Sequence, residues 1–164
     1  MKRKKVLQKI LYEILDWSKV LLTGLVIAFV VSRTLVANAQ VPTGSMETTI
    51  MSGSRVLINR LSYVVGEPER GDIIAFYFPD DKSEKYLKRI IGLPGDKVEG
   101  IGGRIYINGG LLEESYITEE INADFGPYHV PESSYFVMGD NRNNSDDSRF
   151  WNDKFVEKDE MIGK

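Results

Sequence analysis

The sequence predicts a mainly β domain, built from antiparallel strands, that follows one N-terminal transmembrane helix. Three observations support this fold class. A basic head precedes an apolar run, Val20–Val31, that carries no charge. Short apolar segments separated by Gly, Pro, Asn and Asp then follow, as in strands joined by turns. No long helical periodicity appears after residue 40, and 164 residues have room for one modest domain plus a tail.

The charge distribution predicts how the chain is arranged at a membrane. Residues 1–19 carry six basic side chains against two acidic ones, although the whole chain has a net charge of −3. A basic head before an apolar segment favours a lipid surface and a cytoplasmic N-terminus, and the acidic remainder argues against nucleic acid as a partner. We therefore expect a cytoplasmic segment 1–19, an anchor 20–37 and an extracytoplasmic domain 38–164, in a single-pass protein of the cell membrane.

The limits of the anchor leave an alternative open. Extending the apolar run to Ala37 gives a span of adequate length but admits Arg33, whose long side chain can extend to the lipid headgroups. Apolar residues at i, i+3, i+4 spacing upstream indicate that the helix begins as an amphipathic stretch. A cleavable secretory signal is the alternative, because Ala37-Asn38-Ala39 matches the small-x-small cleavage pattern.

The exported part contains six segments with the alternation and β-branched composition of strands. They are Arg55–Asn59, Asp72–Phe78, Tyr86–Ile91, Lys97–Glu99, Arg104–Ile107 and Ser134–Met138. Arg104–Leu112, with Asn108-Gly109 in its middle, is predicted to form a hairpin.

Residue counts restrict the chemistry available. The chain has no cysteine, which excludes disulfides, thiolate zinc sites and cysteine nucleophiles, and its one histidine, His129, disfavours a multi-histidine metal site. His129 lies beside two prolines and is expected to be structural or exposed. A paired-carboxylate site remains open, although Glu113-Glu114 and Glu119-Glu120 are expected to be solvated surface. Serine with lysine is the main remaining option for nucleophilic catalysis, and no cofactor is expected.

Ser45 is the serine candidate, within Val41-Pro42-Thr43-Gly44-Ser45-Met46. Gly44 allows close approach of a ligand to the backbone, and the Ser45 amide can donate to an oxyanion. The Thr43 hydroxyl lies on the same side of an extended chain. Read alone, this sequence is also an ordinary turn.

Lys88 is the lysine candidate, within Tyr86–Gly92. Strand alternation places it on one face with Tyr86 and Ile90, while Arg89 lies on the other. Apolar neighbours disfavour an ammonium, and the pKa of a general base must fall toward neutrality. A surface lysine on a strand is the alternative.

The segment Gly139–Arg149 has no apolar side chain and directly follows a predicted strand. Its short hydrogen-bonding side chains, with two arginines and three aspartates, can form a rigid network that supports an active site. A solvated surface loop is the alternative, and a calcium loop is disfavoured by the arginines.

Taken together, these segments resemble bacterial type I signal peptidases over nearly the whole chain. The resemblance rests on four collinear motifs after the N-terminal anchor: Pro42–Met46, Arg70–Phe76, Tyr86–Asp96 and Gly139–Arg149. It implies a barrel-like antiparallel β catalytic domain of the compact Gram-positive form. One departure is a threonine, Thr48, where the family usually has proline, and the other is the end at Ile162–Lys164, where relatives often continue to a further strand. The short segment between Asp96 and Phe136 is the feature that resembles the compact form.

The resemblance also implies roles for individual residues. Ser45 is then the nucleophile and Lys88 the general base, while Thr43 and the Ser45 amide form the oxyanion hole. Ser145 orients the lysine, and Asp147 with Arg149 braces the site. The implied substrates are exported preproteins, cut after small residues in an Ala-x-Ala pattern.

Three alternatives stay open from the sequence. They are a specialised pilin-type signal peptidase, a repressor-like autoproteolytic serine-lysine peptidase and a catalytically silent membrane-anchored β module. The oligomeric state is not predicted.

Overall fold

The N-terminal part of the chain is one long helix. The structure, a computed structural model, describes residues 2–164, with side chains for residues 8–31 and 35–164. The chain divides into two compact units, 1–37 and 38–164. Helix α1 spans Lys2–Thr34.

Within α1, Gln8–Val31 has the length and composition to cross a bilayer once, and none of it is buried. This stretch begins earlier than the predicted anchor 20–37, because the amphipathic start continues into the apolar run as one helix. It also ends earlier, since the backbone is already extended at Val36. The side chains of Arg33 and of the basic residues at positions 2–5 lie outside the described side chains.

The second unit is built from strands and two very short helices. The strands are β1 (Val36–Gln40), β2 (Arg55–Asn59), β3 (Ile73–Phe78), β4 (Asp81–Gly92), β5 (Lys97–Ile101), β6 (Arg104–Ile107), β7 (Gly110–Leu111), β8 (Phe125–His129), β9 (Ser134–Met138), β10 (Val156–Glu157) and β11 (Met161–Gly163). Helix α2 covers Ser62–Val65, and a 3₁₀ turn covers Lys158–Glu160.

These strands form three sheets. Strands β1 and β2 pair with each other, a five-stranded sheet has the order β10-β9-β4-β3-β11, and a four-stranded sheet has the order β7-β6-β5-β8. The described pairings of the two larger sheets are antiparallel. The predicted fold class, mainly antiparallel β after one N-terminal apolar helix, is confirmed.

Strand β4 lies between two cores because its neighbouring residues face opposite ways. Ile90 packs in one cluster with Phe76 and Trp151, whereas Ile91 packs in another with Phe136. This is the period of two that strands impose. Every residue from Lys88 to Gly92 is buried as a result. The predicted faces of this strand are confirmed, and its buried end positions Lys88.

The predicted hairpin is formed by β6 and β7. Its two turn residues, Asn108 and Gly109, have φ angles of 53° and 84°. Positive φ at both central positions is what a type I′ turn requires, and Asn-Gly accommodates it best. Strands β1, β8, β10 and β11 were not predicted, because they are short or lie next to prolines, glycines and charged residues.

Candidate active site

Ser45 lies in the turn that follows β1, and its residue surface is only 8% exposed. Asn141 fixes this turn from the opposite side, since its backbone N–H donates to the Ser45 carbonyl at 3.1 Å and its side chain donates to the Gly44 carbonyl at 3.0 Å. The segment 139–149 therefore contacts the candidate nucleophile directly.

The chain beyond Ser45 is well anchored without the proline that Thr48 replaces. Met46 is fully buried, and its carbonyl accepts a hydrogen bond from the Ile50 N–H at 2.8 Å. The Glu47 N–H donates to the Gly44 carbonyl at 3.1 Å. A buried side chain and turn hydrogen bonds fix the backbone that proline would otherwise restrain.

Lys88 occupies the inner end of β4 and is 3% exposed. Its cross-strand partner on β3 is Ile74, and its Nζ lies 5.7 Å from the centre of the Tyr86 ring. Nζ donates to Ser145 Oγ at 3.1 Å. Burial lowers the pKa of Lys88 to about 8, although the nearby carboxylates of Asp147 and Asp146 act in the opposite direction. The apolar surroundings thus favour a neutral amine.

Ser45 and Lys88 line the same groove, which has a volume of about 620 Å³. The Thr43 and Ser45 hydroxyl oxygens are 3.3 Å apart. Among the described side chains, no direct hydrogen bond joins Ser45 to Lys88, and Lys88 Nζ instead donates to Ser145 Oγ. Catalytic hydrogen bonds are often long in free enzymes and tighten when substrate binds.

Apolar side chains from several strands form the rest of the groove. Ala75, Tyr86 and Leu87 belong to the walls that the sequence suggested, whereas Val56 on β2 and Ile162 on β11 were not anticipated. The lining residues are Ala39–Ser45, Val56, Ile58, Ala75, Glu84–Lys88, Asn144, Asp146 and Ile162. Strands β3, β4 and β11 of the five-stranded sheet therefore all contribute to the groove.

A buried ion pair supports the loop behind the groove. Asp147 is fully buried and accepts from Arg149 Nε at 2.8 Å and from Arg149 NH2 at 2.9 Å. The same carboxylate accepts from the Gly139 N–H at 3.0 Å. Gly139 has no room for a side chain, because a Cβ there would overlap Ser145 Oγ and the Ser45 carbonyl oxygen. The loop contains the internal network that its composition predicts.

The amino-acid sequence matches a known family of enzymes. The family model described as "Signal peptidase, peptidase S26" matches residues 14–164. The chain belongs to this signal peptidase family. As a member, the peptidase is a hydrolase of the serine endopeptidase class.

Individual relatives agree with this assignment. The peptidase is 40% identical to the probable signal peptidase I-2 of Synechocystis over 92% of its own length and 70% of that protein's length. It is 40% identical to signal peptidase I S of Bacillus subtilis, covering 83% of its own chain and 78% of the relative. The crystal structure of a signal peptidase I from Enterococcus faecalis is similar with a TM-score of 0.53 and 38% identity, over 60% of this chain and 97% of that chain.

The structure brings together the six residues to which the resemblance assigns a catalytic or supporting role. Ser45, Lys88 and Thr43 line or adjoin the groove, and Ser145, Asp147 and Arg149 lie directly behind it. His129, in contrast, is exposed on β8 opposite Lys97 and does not line the groove. No group of three or more histidine or carboxylate side chains among the described residues could hold a metal ion.

A second buried ion pair was missed by the sequence analysis. Arg89 donates from Nε to Asp140 Oδ1 at 2.8 Å and from NH2 to Asp140 Oδ2 at 2.6 Å. Arg89 is paired with Met138 in register, which brings Asp140 to the same strand end. The sequence did contain one indication of this pair: Arg89 lies in a strand predicted to be apolar, and a buried arginine needs an acidic partner.

The expectation that Glu113-Glu114 is solvated surface is wrong for Glu114. Its side chain is only 9% exposed and pairs with Arg142, whose side chain is 1% exposed. Glu113 is exposed as expected. The partners are far apart in the sequence, and no local pattern distinguishes one glutamate from the other.

Proposed function

We propose that the peptidase removes signal peptides from exported preproteins, with Ser45 as nucleophile and Lys88 as general base. The observation that carries this proposal is a buried lysine with a pKa lowered to about 8, on the wall of the groove that contains Ser45. A lysine can accept the serine proton near neutral pH only if its environment disfavours the ammonium.

The proposed reaction is acyl transfer in two steps. Neutral Lys88 accepts the Ser45 hydroxyl proton while Oγ attacks the scissile carbonyl carbon. The Thr43 hydroxyl and the Ser45 N–H donate to the resulting oxyanion. Lys88 then gives its proton to the leaving amine, and the acyl-enzyme forms. A water then gives a proton to Lys88 while its oxygen attacks the ester carbonyl carbon. As the bond between that carbon and Ser45 Oγ breaks, Lys88 returns the proton to Oγ, which restores both side chains and releases the signal peptide with a new carboxylate.

Ser145, Asp147 and Arg149 have supporting roles in this proposal. Ser145 accepts the Lys88 hydrogen bond and thereby orients Nζ. The Asp147–Arg149 pair fixes the Gly139 backbone next to Ser145. Preorganised support of this kind lets the reacting groups act without reorganising.

The groove favours an extended peptide with small residues on alternate positions. A strand-like substrate bound in the groove presents every second side chain to the same wall. Val56, Ala75 and Leu87 give that wall an apolar surface. This supports cleavage after an Ala-x-Ala-like sequence.

The proposed arrangement at the membrane follows from charge and helix length. The single apolar helix α1 anchors the chain, with the basic N-terminus in the cytoplasm and residues 38–164 outside. Preproteins emerging from the membrane are then on the same side as the groove.

The test compares the full chain with its Ser45→Ala and Lys88→Ala variants on a preprotein, with products identified by mass spectrometry. Both variants are expected to lose cleavage, because each removes one reacting group. Lys82→Ala and Ser83→Ala serve as matched controls and keep activity, because both residues are exposed on the same strand as Lys88 and neither lines the groove. Cleavage by either active-site variant would contradict the proposal.

A further inference from the structure

Glu114 is a buried carboxylate that lies outside all the segments assigned to the active site. It belongs to the connection between β7 and β8, which extends from the four-stranded sheet. Burying a charge is unfavourable unless it is paired. Glu114 accepts from Arg142 NH1 at 2.8 Å and NH2 at 2.6 Å, and also from the Tyr116 hydroxyl at 2.6 Å.

Arg142 transmits this contact to the backbone behind the groove. Its Nε donates to the Gly139 carbonyl at 3.0 Å, while its own carbonyl accepts from Arg149 NH2 at 2.6 Å. The Arg142 guanidinium thus binds Glu114 through NH1 and NH2 and Gly139 through Nε. Guanidinium pairs of this bidentate kind fix orientation as well as distance.

Gly139 determines the spacing between two parts of the active site. Its N–H donates to Asp147, its carbonyl accepts from Arg142, and its Cα lies against both the Ser45 carbonyl and Ser145 Oγ. A movement of Gly139 toward Ser145 or Ser45 would therefore displace that residue, and a movement away would remove its support. Small misplacements of reacting groups are costly, since about 1 Å can reduce a rate about 100-fold.

The connection between β7 and β8 also reaches Asp140, the residue after Gly139, through Tyr116 and Arg89. The Tyr116 ring lies under the Arg89 guanidinium at 3.8 Å, and Arg89 binds both carboxylate oxygens of Asp140. Gly139 and Asp140 are thus both linked to the Glu114–Tyr116 segment. These two routes connect the four-stranded sheet to the active site.

We propose that Glu114 is a positioning residue of the peptidase: through Arg142 it fixes Gly139, and thereby the placement of Ser145 and Lys88 relative to Ser45. This inference rests on the proposed roles of Ser45 and Lys88. Glu114 does not contact the groove, so it acts only through its neighbours. Without its carboxylate, Arg142 is a buried charge lacking its partner and is expected to turn away from Gly139.

The test uses the full chain with Glu114→Ala and Glu114→Gln, and measures kcat, KM and the pH dependence of kcat/KM on a signal-peptide substrate. We expect Glu114→Ala to lower kcat about ten- to 100-fold with KM within about twofold, because the groove walls remain in place. Glu114→Gln keeps the shape and one acceptor, so it is expected to lie between wild type and alanine.

The pH profile separates positioning from a loss of folded protein. The groups that act on the Lys88 charge are Asp146, Asp147 and Arg149 of the loop and Tyr86 on its own strand, while β3 presents apolar Ile74. When Ser145 moves away, Lys88 becomes more hydrated, and the acid limb of the profile is expected to shift to higher pH. A smaller folded fraction would lower the rate without moving that limb.

Glu113→Gln is the matched control, since it removes the neighbouring exposed charge, and its kinetics are expected to stay within twofold of wild type. The inference is overturned if Glu114→Ala folds and has the kcat and the acid limb of wild type. It is also overturned if the loss of rate is fully explained by a smaller fraction of folded protein. If the alanine variant does not fold, a Glu114→Gln variant with the kcat and acid limb of wild type overturns the inference. Ser45→Ala is assayed in the same series: activity in that variant contradicts the proposed function itself, whatever Glu114 does.

Discussion

At the residue scale, the buried charge of Lys88 stabilises no part of the fold. Its pKa of about 8 in the folded state lies below the 10.5 of an ordinary lysine. This difference corresponds to about 3 kcal/mol of unfavourable free energy when the group is charged. The charged form of Lys88 thus lowers the stability of the fold, which is common for groups with the catalytic role proposed for this lysine.

The sign of this effect predicts how stability depends on pH. Between pH 8 and 10.5 the unfolded chain binds the lysine proton and the folded chain does not. The contribution of Lys88 to the free energy of unfolding therefore rises with pH between pH 8 and 10.5. Below pH 8 the lysine is charged in both states, so the folded protein bears the whole unfavourable free energy of the buried charge.

Replacing Lys88 by methionine should stabilise the protein at pH 7. The variant removes the buried charge and keeps a side chain of similar length, while it loses the hydrogen bond to Ser145. We expect a net gain of about 1–3 kcal/mol in the free energy of unfolding. Thermal and denaturant unfolding at pH 7 measure it, with exposed Lys85→Met as the neutral control. A Lys88→Met variant less stable than wild type at pH 7 would contradict the assigned pKa.

At the scale of structural elements, the loop 139–149 contains one internal ion pair, Asp147 with Arg149, and is tied to the rest of the fold by two further pairs with Arg89 and Glu114. The Asp147–Arg149 pair is buried on both sides, with side-chain exposures of 0% and 5%. Removing one partner leaves the other charge buried and unpaired.

Asp147→Asn should therefore lower the free energy of unfolding by about 3–5 kcal/mol. The adjacent Asp146 is exposed, so Asp146→Asn is the matched control and should change stability by less than about 0.5 kcal/mol. Denaturant unfolding at pH 7 distinguishes them. Equal effects of the two substitutions would show that the ion pair does not stabilise the loop.

The elements that the sequence predicted are those with local signals. Apolar alternation predicted β2 through β6 and β9, and Asn108-Gly109 predicted the hairpin turn. Strands β10 and β11 have two and three residues, too few for a recognisable period. Their position depends on pairing with β9 and β3, which no local pattern specifies.

The sequence predicted those site residues that lie in motifs. It did not predict residues whose hydrogen-bond or ion-pair partners lie far away in the sequence. Ser45, Lys88 and Ser145 each lie in one of the family motifs, so the sequence indicated that they belong to one site. Glu114 was misassigned to the solvated surface because its partner Arg142 lies 28 residues away. Burial of a glutamate depends on which part of the chain covers it, and that is a property of the tertiary fold.

At the scale of the whole molecule, one apolar helix and a basic head predict a single orientation in the membrane. The six basic residues within positions 1–19 favour a cytoplasmic N-terminus. The protein contains no cysteine, so single cysteines report on topology without background.

A cysteine at exposed Glu113 should react with a membrane-impermeant maleimide in intact cells. A cysteine at Lys4, in the basic head that precedes Gln8–Val31, should react only after the membrane is permeabilised. Labelling gels of both single variants, with the cysteine-free wild type as control, make the comparison. The reverse pattern would place the groove in the cytoplasm and contradict the proposed arrangement.

The central claim, that a neutral Lys88 activates Ser45, is tested most directly by the pH dependence of kcat/KM for signal-peptide cleavage by the full chain. The account predicts activity that rises through a single limb near pH 8, where the buried amine loses its proton. Lys88→Arg should be inactive across the range, because a guanidinium is not deprotonated in proteins. A limb near pH 4–5, typical of a carboxylate base, or cleavage by Lys88→Arg, would contradict the account.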